Sequence, residues 1–288
     1  VTSNDGFYRV DVAVLTSQIH PDAWRLRVTG MVDRPYELSF DELLRMSLVE
    51  EYITLACVSN EVGGALVGNA RWLGVPLREL LTRARVQRGA TQIVGRSVDG
   101  FTTGFPTKAA SDGRSALVAV GMNGEPLPIL HGFPARLVVA GLYGSVSATK
   151  WLEEIELTTF DAYDAYWARR GWAARAPVET QARIDVPRDG RSLTAGTVVV
   201  AGVAWAPARG IAAVEIQVDD NPWAEAELAS ALSDDSWRQW RLRWDAQPGR
   251  HILRARATDG DGRVQTGDSG GIFPDGATGR HTVQVKVR

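Results

Sequence analysis

With 288 residues, 44% of them hydrophobic and 23% charged, the chain has the make-up of a soluble globular protein long enough for two domains. Its 32 Lys and Arg against 34 Asp and Glu leave a formal net charge of -2, so charge gives no reason to expect nucleic acid or an anionic membrane surface as a partner. No apolar run approaches the roughly 20 residues that cross a bilayer, and the single Cys rules out an internal disulfide.

In chain order, Trp24-Arg25-Leu26-Arg27-Val28 alternates as a strand. Ser39-Phe40-Asp41-Glu42-Leu43-Leu44 then reads as a capped helix start, with Ser39 as N-cap and Glu42 three residues on. An apolar strand runs into Thr54-Leu55-Ala56-Cys57-Val58-Ser59-Asn60-Glu61, and Val62-Gly63-Gly64 follows as a loop. Val75-Pro76-Leu77-Arg78-Glu79-Leu80-Leu81 opens a second helix with Pro76 in its first turn. A further glycine-rich loop, Gly141-Leu142-Tyr143-Gly144-Ser145, is of the kind that carries function. The fold class expected is α+β for this part.

Ala173-Ala174-Arg175-Ala176-Pro177 is a small-residue linker, which divides the chain into residues 1–174 and 175–288. Beyond it, the segments 198–203, 213–218, 240–244, 252–257 and 281–287 alternate with period two. They are separated by turn signals such as Asp219-Asp220-Asn221, Pro248-Gly249 and Asp259-Gly260-Asp261-Gly262. This pattern predicts an immunoglobulin-like β-sandwich, with several of the ten Trp residues filling its core.

The hydrolytic and nucleotide-binding signatures are absent, and His20, His131, His251 and His281 lack metal-ligand spacing. Cys57 read alone is a buried core thiol more often than a ligand. Likewise His131 can cap a turn, Arg136 can pair with a carboxylate, and Lys150 can be a solvated strand end. Asp99, followed by Gly100, also suits a plain turn.

Taken in order, Gly68-Asn69-Ala70-Arg71-Trp72-Leu73-Gly74-Val75-Pro76-Leu77, His131-Gly132-Phe133-Pro134-Ala135-Arg136, Gly141-Leu142-Tyr143-Gly144 and Lys150-Trp151-Leu152 resemble the sulfite oxidase family of molybdopterin enzymes. The resemblance covers nearly the whole chain, with Pro187-Arg188-Asp189-Gly190 and Gly202-Val203-Ala204-Trp205 extending it into the later part. It implies a sulfite-oxidase-like cofactor domain followed by an immunoglobulin-like dimerisation domain, and one molybdopterin per chain. Cys57 is then the protein's thiolate to molybdenum, a soft ligand suited to that centre. The pterin phosphate falls to His131, Arg136 and Lys150, with backbone contacts from Ala148 and Thr149. Asp99 corresponds to an acidic position that contacts the pterin, and Phe7-Tyr8-Arg9-Val10-Asp11 to the segment that covers it from the other side. Trp72 and Trp151 read as core packing beside the site.

The resemblance departs from the sulfite-oxidising members at the substrate pocket. Glu61 stands where they carry an arginine after the C-x-x-N stretch, Gly271-Ile272-Phe273-Pro274-Asp275 offers none of the second, and Trp172 replaces their active-site tyrosine. Arg9 sits one place from the arginine of the opening segment. Unit charges 4 Å apart interact by about 1 kcal/mol in water and several times more in a low-dielectric pocket. Exchanging Arg for Glu should therefore turn the preference away from anions, unless Arg71 or Arg183 moves in. Oxygen-atom transfer to or from a neutral or cationic substrate such as an S-oxide or N-oxide is the function expected. A sulfite dehydrogenase and a cofactor-free binding or structural module are the alternatives. With no C-x-x-C-H motif, electrons pass through a separate partner or another segment. Val1 in place of an initiator Met leads to the expectation of a processed form or a fragment. Members with a Phe-Tyr-Arg opening often follow membrane-spanning helices, so a membrane-anchored or extracytoplasmic location stands beside a cytoplasmic one.

Overall fold

The computed structural model describes residues 1–13 and 15–288. They form two compact units, Val1–Val58 with Leu66–Pro177, and Ser59–Ala65 with Val178–Arg288. A boundary near residue 174 read from composition misses the seven-residue excursion Ser59–Ala65, because composition carries no trace of a loop's tertiary neighbours.

The first unit holds two sheets. One is ordered Tyr36–Ser39, Arg25–Gly30, Leu152–Thr158, Gln92–Ser97, Thr102–Pro106, with only the Arg25–Gly30 and Leu152–Thr158 pair parallel. The other is antiparallel and ordered Val49–Ala56, Val67–Pro76, Ala116–Met122, Glu125–Pro126, with Arg136–Val139 also paired to Ala116–Met122. Trp24 and Trp72 are buried in this unit and satisfy their indole N–H groups on the backbone oxygens of Leu152 (2.7 Å) and Ile53 (3.2 Å), as a buried indole requires.

Helix is scarce here, so the helical share of the expected α+β class is small. Phe40–Leu44 has five residues, Leu77–Ala84 eight and Gly144–Ser147 four. The Ser39 and Glu42 capping box forms as the sequence predicts. Pro76 ends a strand and serves as the N-cap of Leu77–Ala84, one place before the first turn. Leu77, Leu80, Leu81 and Ala84 are buried at helical spacing. No helix among the described residues is long and apolar enough to cross a membrane.

The second unit has a four-stranded sheet, Gln181–Val186, Gly196–Trp205, Arg238–Ala246, Glu227–Leu228, and a five-stranded sheet, Ser192–Leu193, Thr282–Val287, Gly249–Asp259, Ile211–Val218, Ala224–Glu225. One apolar cluster takes Ile184, Val200 and Trp240 from the first sheet and Val214, Ile216, Leu253 and Val283 from the second, so their inner faces share a core. Four of the five alternating segments predicted from the sequence lie wholly in these strands, and the fifth, 281–287, starts one residue before Thr282–Val287. Of the tryptophans, Trp205 and Trp240 are buried here, while Trp223 and Trp237 are half-buried. Gly202 is required by close approach, since a Cβ there would lie 1.8 Å from the Arg183 backbone oxygen of the neighbouring strand.

His281 gives this unit a pH-sensitive contact. Its Nδ1 accepts the Ile184 N–H at 3.0 Å, which needs the neutral ring. Burial and then Arg183 hold its pKa below the ordinary 6.5, against Asp185 and Asp189. A depressed histidine contributes stability that is complete above about 6.5 and is lost as pH falls through the folded value. His251, 2.9 Å from Asp219, is shifted up by that hydrogen bond, so its contribution is complete below about 6.5 and is lost as pH rises. The difference between wild type and His281→Gln isolates the first effect. In urea unfolding followed from about pH 8 to about pH 5, the wild type should lose more stability than the variant; parallel curves would refute the assignment.

Candidate active site

Cys57 follows directly on the strand Val49–Ala56, and its backbone N–H donates to the Leu66 carbonyl at 2.9 Å. The turn is thus held by backbone, at a residue only 7% exposed. Phe7 of the opening segment is buried in the core of the second sheet, edge-on to Trp72 and to His131 and stacked on Tyr8. Tyr8 lies close enough to Cys57 and Arg136 for both to act on its hydroxyl. Burial, with Cys57 adding to it, drives the phenol well above its usual range, and Arg136 opposes them.

Arg136 begins the strand Arg136–Val139 and is 5% exposed. Its Nη1 donates to the His131 carbonyl at 3.0 Å and its guanidinium lies over the Trp72 ring at 5.1 Å. Among the described residues no carboxylate pairs with it. Burial pushes its pKa down to about 10, with Tyr8 acting against that shift. His131 closes a 3₁₀ turn, and its Nε2 meets the Asn4 carbonyl at 2.7 Å. The pKa of its ring is lowered by burial, opposed by that contact and assisted by Arg136 and Arg9. A neutral His131 therefore carries its proton on Nε2 and pins the opening segment.

Gly132, at φ +108°, lets this turn close on Lys150, since a Cβ there would stand 2.8 Å from the Lys150 Cβ. The Lys150 ammonium meets Asp11 and lies 4.6 Å from the centre of the Trp151 ring. Burial and then the Arg9 guanidinium push it down to about 8, while the Asp11 carboxylate acts in the opposite sense. Arg9 is itself 3.0 Å from Asp11. Gly144 lies on the same side, where a Cβ would be 3.5 Å from the Tyr8 hydroxyl.

The structure therefore gathers Phe7, Tyr8, Arg9, Asp11, Cys57, His131, Arg136 and Lys150. The remaining expected residues have these partners within the chain. Asp99 accepts the Phe101 N–H at 3.0 Å in its own turn. The Thr149 hydroxyl is engaged by Thr103 at 2.7 Å, and the Ala148 N–H by the Gly144 carbonyl. Trp172 packs edge-on against Trp167. Glu61 is exposed, with its carbonyl accepting from Gly64, and it belongs to the second unit. The two arginines considered as substitutes are committed, Arg71 to Glu50 at 3.5 Å and Arg183 to Asp185 at 2.6 Å and the Gly64 carbonyl at 2.8 Å. Asn4 was not anticipated, because it acts through its carbonyl, which no side-chain pattern reveals.

A phosphate-bearing group fits this cluster. A buried guanidinium without a carboxylate is costly until an anion joins it, and the Thr149 and Lys150 backbone N–H groups have no protein acceptor among the described residues. Nor do the described residues hold any group of three or more His, Cys, Asp or Glu able to cage a metal. A metal at Cys57 would have to bring most of its ligands with it, as a metal carried on a dithiolene does.

Comparison with known proteins decides the family. The family described as oxidoreductase molybdopterin binding domain matches residues 13–167, more than half of the chain. The chain belongs to that family. The match agrees with the resemblance to the sulfite oxidase family seen in the sequence. Mitochondrial sulfite oxidase of Rattus norvegicus is 29% identical over 272 residues, covering 78% of this chain and 50% of that protein. The NADH nitrate reductase of Solanum lycopersicum is 32% identical over 170 residues, covering 50% of this chain and 19% of that protein. The chain spans about half the length of the sulfite oxidases it matches. Among solved structures, the sulfane dehydrogenase SoxCD of Paracoccus pantotrophus superposes with a TM-score of 0.79 at 22% identity, covering 94% of this chain and 77% of that one, so this member of the family shares its fold.

Proposed function

We propose that the chain binds one molybdopterin with Cys57 as the protein's ligand to molybdenum, and catalyses oxygen-atom transfer to or from a small neutral or cationic substrate such as an S-oxide or N-oxide. The observation that carries the cofactor assignment is Arg136, a buried cation beside Tyr8 and Cys57 with no carboxylate partner among the described residues. When bound, the cofactor supplies oxygen-atom transfer coupled to a two-electron change at the metal. Arg136 and Lys150 hold the phosphate by charge-assisted hydrogen bonds. His131 fixes the opening segment through Asn4, and Phe7 and Tyr8 exclude water from the pterin. Tyr8 keeps its proton at neutral pH and so acts as a hydrogen-bond donor.

Against sulfite stand the exposed Glu61 in place of an arginine and the commitment of Arg71 and Arg183 to other partners. The two facing sheets of the second unit support an immunoglobulin-like sandwich, which by family resemblance would pair two copies, and a separate protein would carry the electrons. The test is molybdenum content and turnover in one sample from a molybdopterin-producing host, against sulfite, S-oxides and N-oxides. Stoichiometric molybdenum with turnover of an S- or N-oxide is the result expected. Efficient molybdenum-dependent turnover of sulfite would overturn the substrate assignment. A well-folded sample without molybdenum would overturn the cofactor assignment in favour of a binding module.

A further inference from the structure

The second unit carries a cavity of about 280 Å³ that the cofactor cluster does not use. Arg254 and Thr282, directly opposite each other on neighbouring strands, form one side. Val62, the loop Gly267–Ser269 and the segment Thr278–Arg280, the last two tied by the antiparallel bridge of Gly270 with Thr278, form the rest. The wall thus offers two guanidinium groups and the hydroxyls of Ser269, Thr278 and Thr282, and no carboxylate. Asp268 lies between Gly267 and Ser269 but is exposed and outside the wall.

Neither guanidinium forms a close ion pair among the described residues. Arg254 donates to the Asp219 carbonyl at 2.7 Å, lies near enough to the Asp219 carboxylate for its charge to be felt there, and among the described residues forms one ion pair, with the fully exposed Asp220 at 3.8 Å, a contact of little worth in water. Arg280 pairs with no carboxylate among the described residues, and its Nε is buried without a hydrogen-bond partner. Its guanidinium lies 5.2 Å from the Trp223 ring, which Arg256, already paired with Glu215 at 2.7 Å, approaches to 4.2 Å. Gly267 makes room for it, since a Cβ there would stand 3.1 Å from the Arg280 Cζ. A buried N–H left unpaired beside a second cation is costly, and the structure keeps both facing a cavity with space for an anion and its water.

We infer that this cavity binds a small tetrahedral oxyanion of the sulfate or phosphate class, held by Arg254 and Arg280 and by the surrounding hydroxyls. Two forks of N–H donors suit the oxygens of such an anion, and two positive charges match a dianion. The site draws on no residue of the cofactor cluster, so it stands whether or not the proposed reaction does.

Calorimetric titration of the full chain with sodium sulfate, and separately with sodium phosphate, against sodium chloride at equal ionic strength, tests this. One anion should bind per chain with a saturable isotherm, and the tighter of the two salts identifies the preferred ion. Arg280→Gln should weaken binding about tenfold or more, the scale of a charged hydrogen bond, and the double variant R254Q/R280Q should abolish it. Gly267→Ala, which crowds the Arg280 guanidinium while leaving both charges in place, should also weaken it. Melting curves establish that each variant is folded. No saturable binding beyond chloride, or equal binding by the folded double variant, would overturn the assignment.

Discussion

Cys57→Ser should give a folded protein that still takes up pterin but has lost oxygen-atom transfer. The fold does not depend on the thiol, because the turn after Val49–Ala56 is closed by the Cys57 backbone N–H on Leu66, and serine preserves that bond in nearly the same volume. Pterin uptake rests on Arg136, Lys150 and the opening segment, which the substitution leaves untouched. Metal ligation changes most: a hydroxyl is a harder ligand than a thiol and stays protonated where a thiol can ionise. Altering groups that merely support metal ligands typically costs about 10–100-fold, so loss of the ligand itself should reduce kcat by on the order of a hundredfold or more. Far-ultraviolet circular dichroism, fluorescence of the extracted pterin and steady-state turnover measure the three parts separately. Full activity in the serine variant would refute the role given to Cys57.

The sequence showed the strands of the second unit plainly where they alternate; Thr282–Val287 is exposed and buried by turns without exception, whereas the end of Gly196–Trp205 is buried on both faces. The Ser39 cap was equally visible, since a capping box is a contact between residues three apart. Three features were not. Asp99 stands at a pterin-contacting place in the motif order, and the motif did not reveal that one of its oxygens also accepts the Phe101 N–H two residues on, a local hydrogen bond of the kind turns favour. The loop Ser59–Ala65 leaves the unit on either side of it in sequence, which no periodicity records. Arg254 and Arg280 lie 26 positions apart and meet one cavity only because strand register and the bridge of Gly270 with Thr278 bring them there. Residues acting through a local pattern could be read in advance, and residues acting through a fold-made neighbourhood could not.

Arg136→Met should separate cofactor binding from stability in a way a purely structural arginine would not. The Arg136 guanidinium is buried with no carboxylate partner among the described residues, and burial has already pushed its pKa down to about 10. Taking such a charge out of water costs several kcal/mol, and methionine removes that cost while filling the space over Trp72. The loss is the hydrogen bond to the His131 carbonyl at 3.0 Å, worth about 1–3 kcal/mol if that oxygen is left unsatisfied, and a longer one to the Leu137 carbonyl at 3.5 Å. The two effects oppose each other, so the cofactor-free variant should match the wild type to within about 1 kcal/mol or exceed it. Cofactor uptake should move differently, because truncating one partner of a buried charge pair costs about 2–5 kcal/mol, or roughly 30-fold or more in affinity. Arg136→Lys, which keeps the charge but not the planar fork, should fall between the two in uptake. Chemical unfolding of the cofactor-free proteins and pterin occupancy after purification supply both readings. A variant that unfolds easily while holding its cofactor as well as the wild type would assign Arg136 to the core and take away the observation on which the cofactor site chiefly rests.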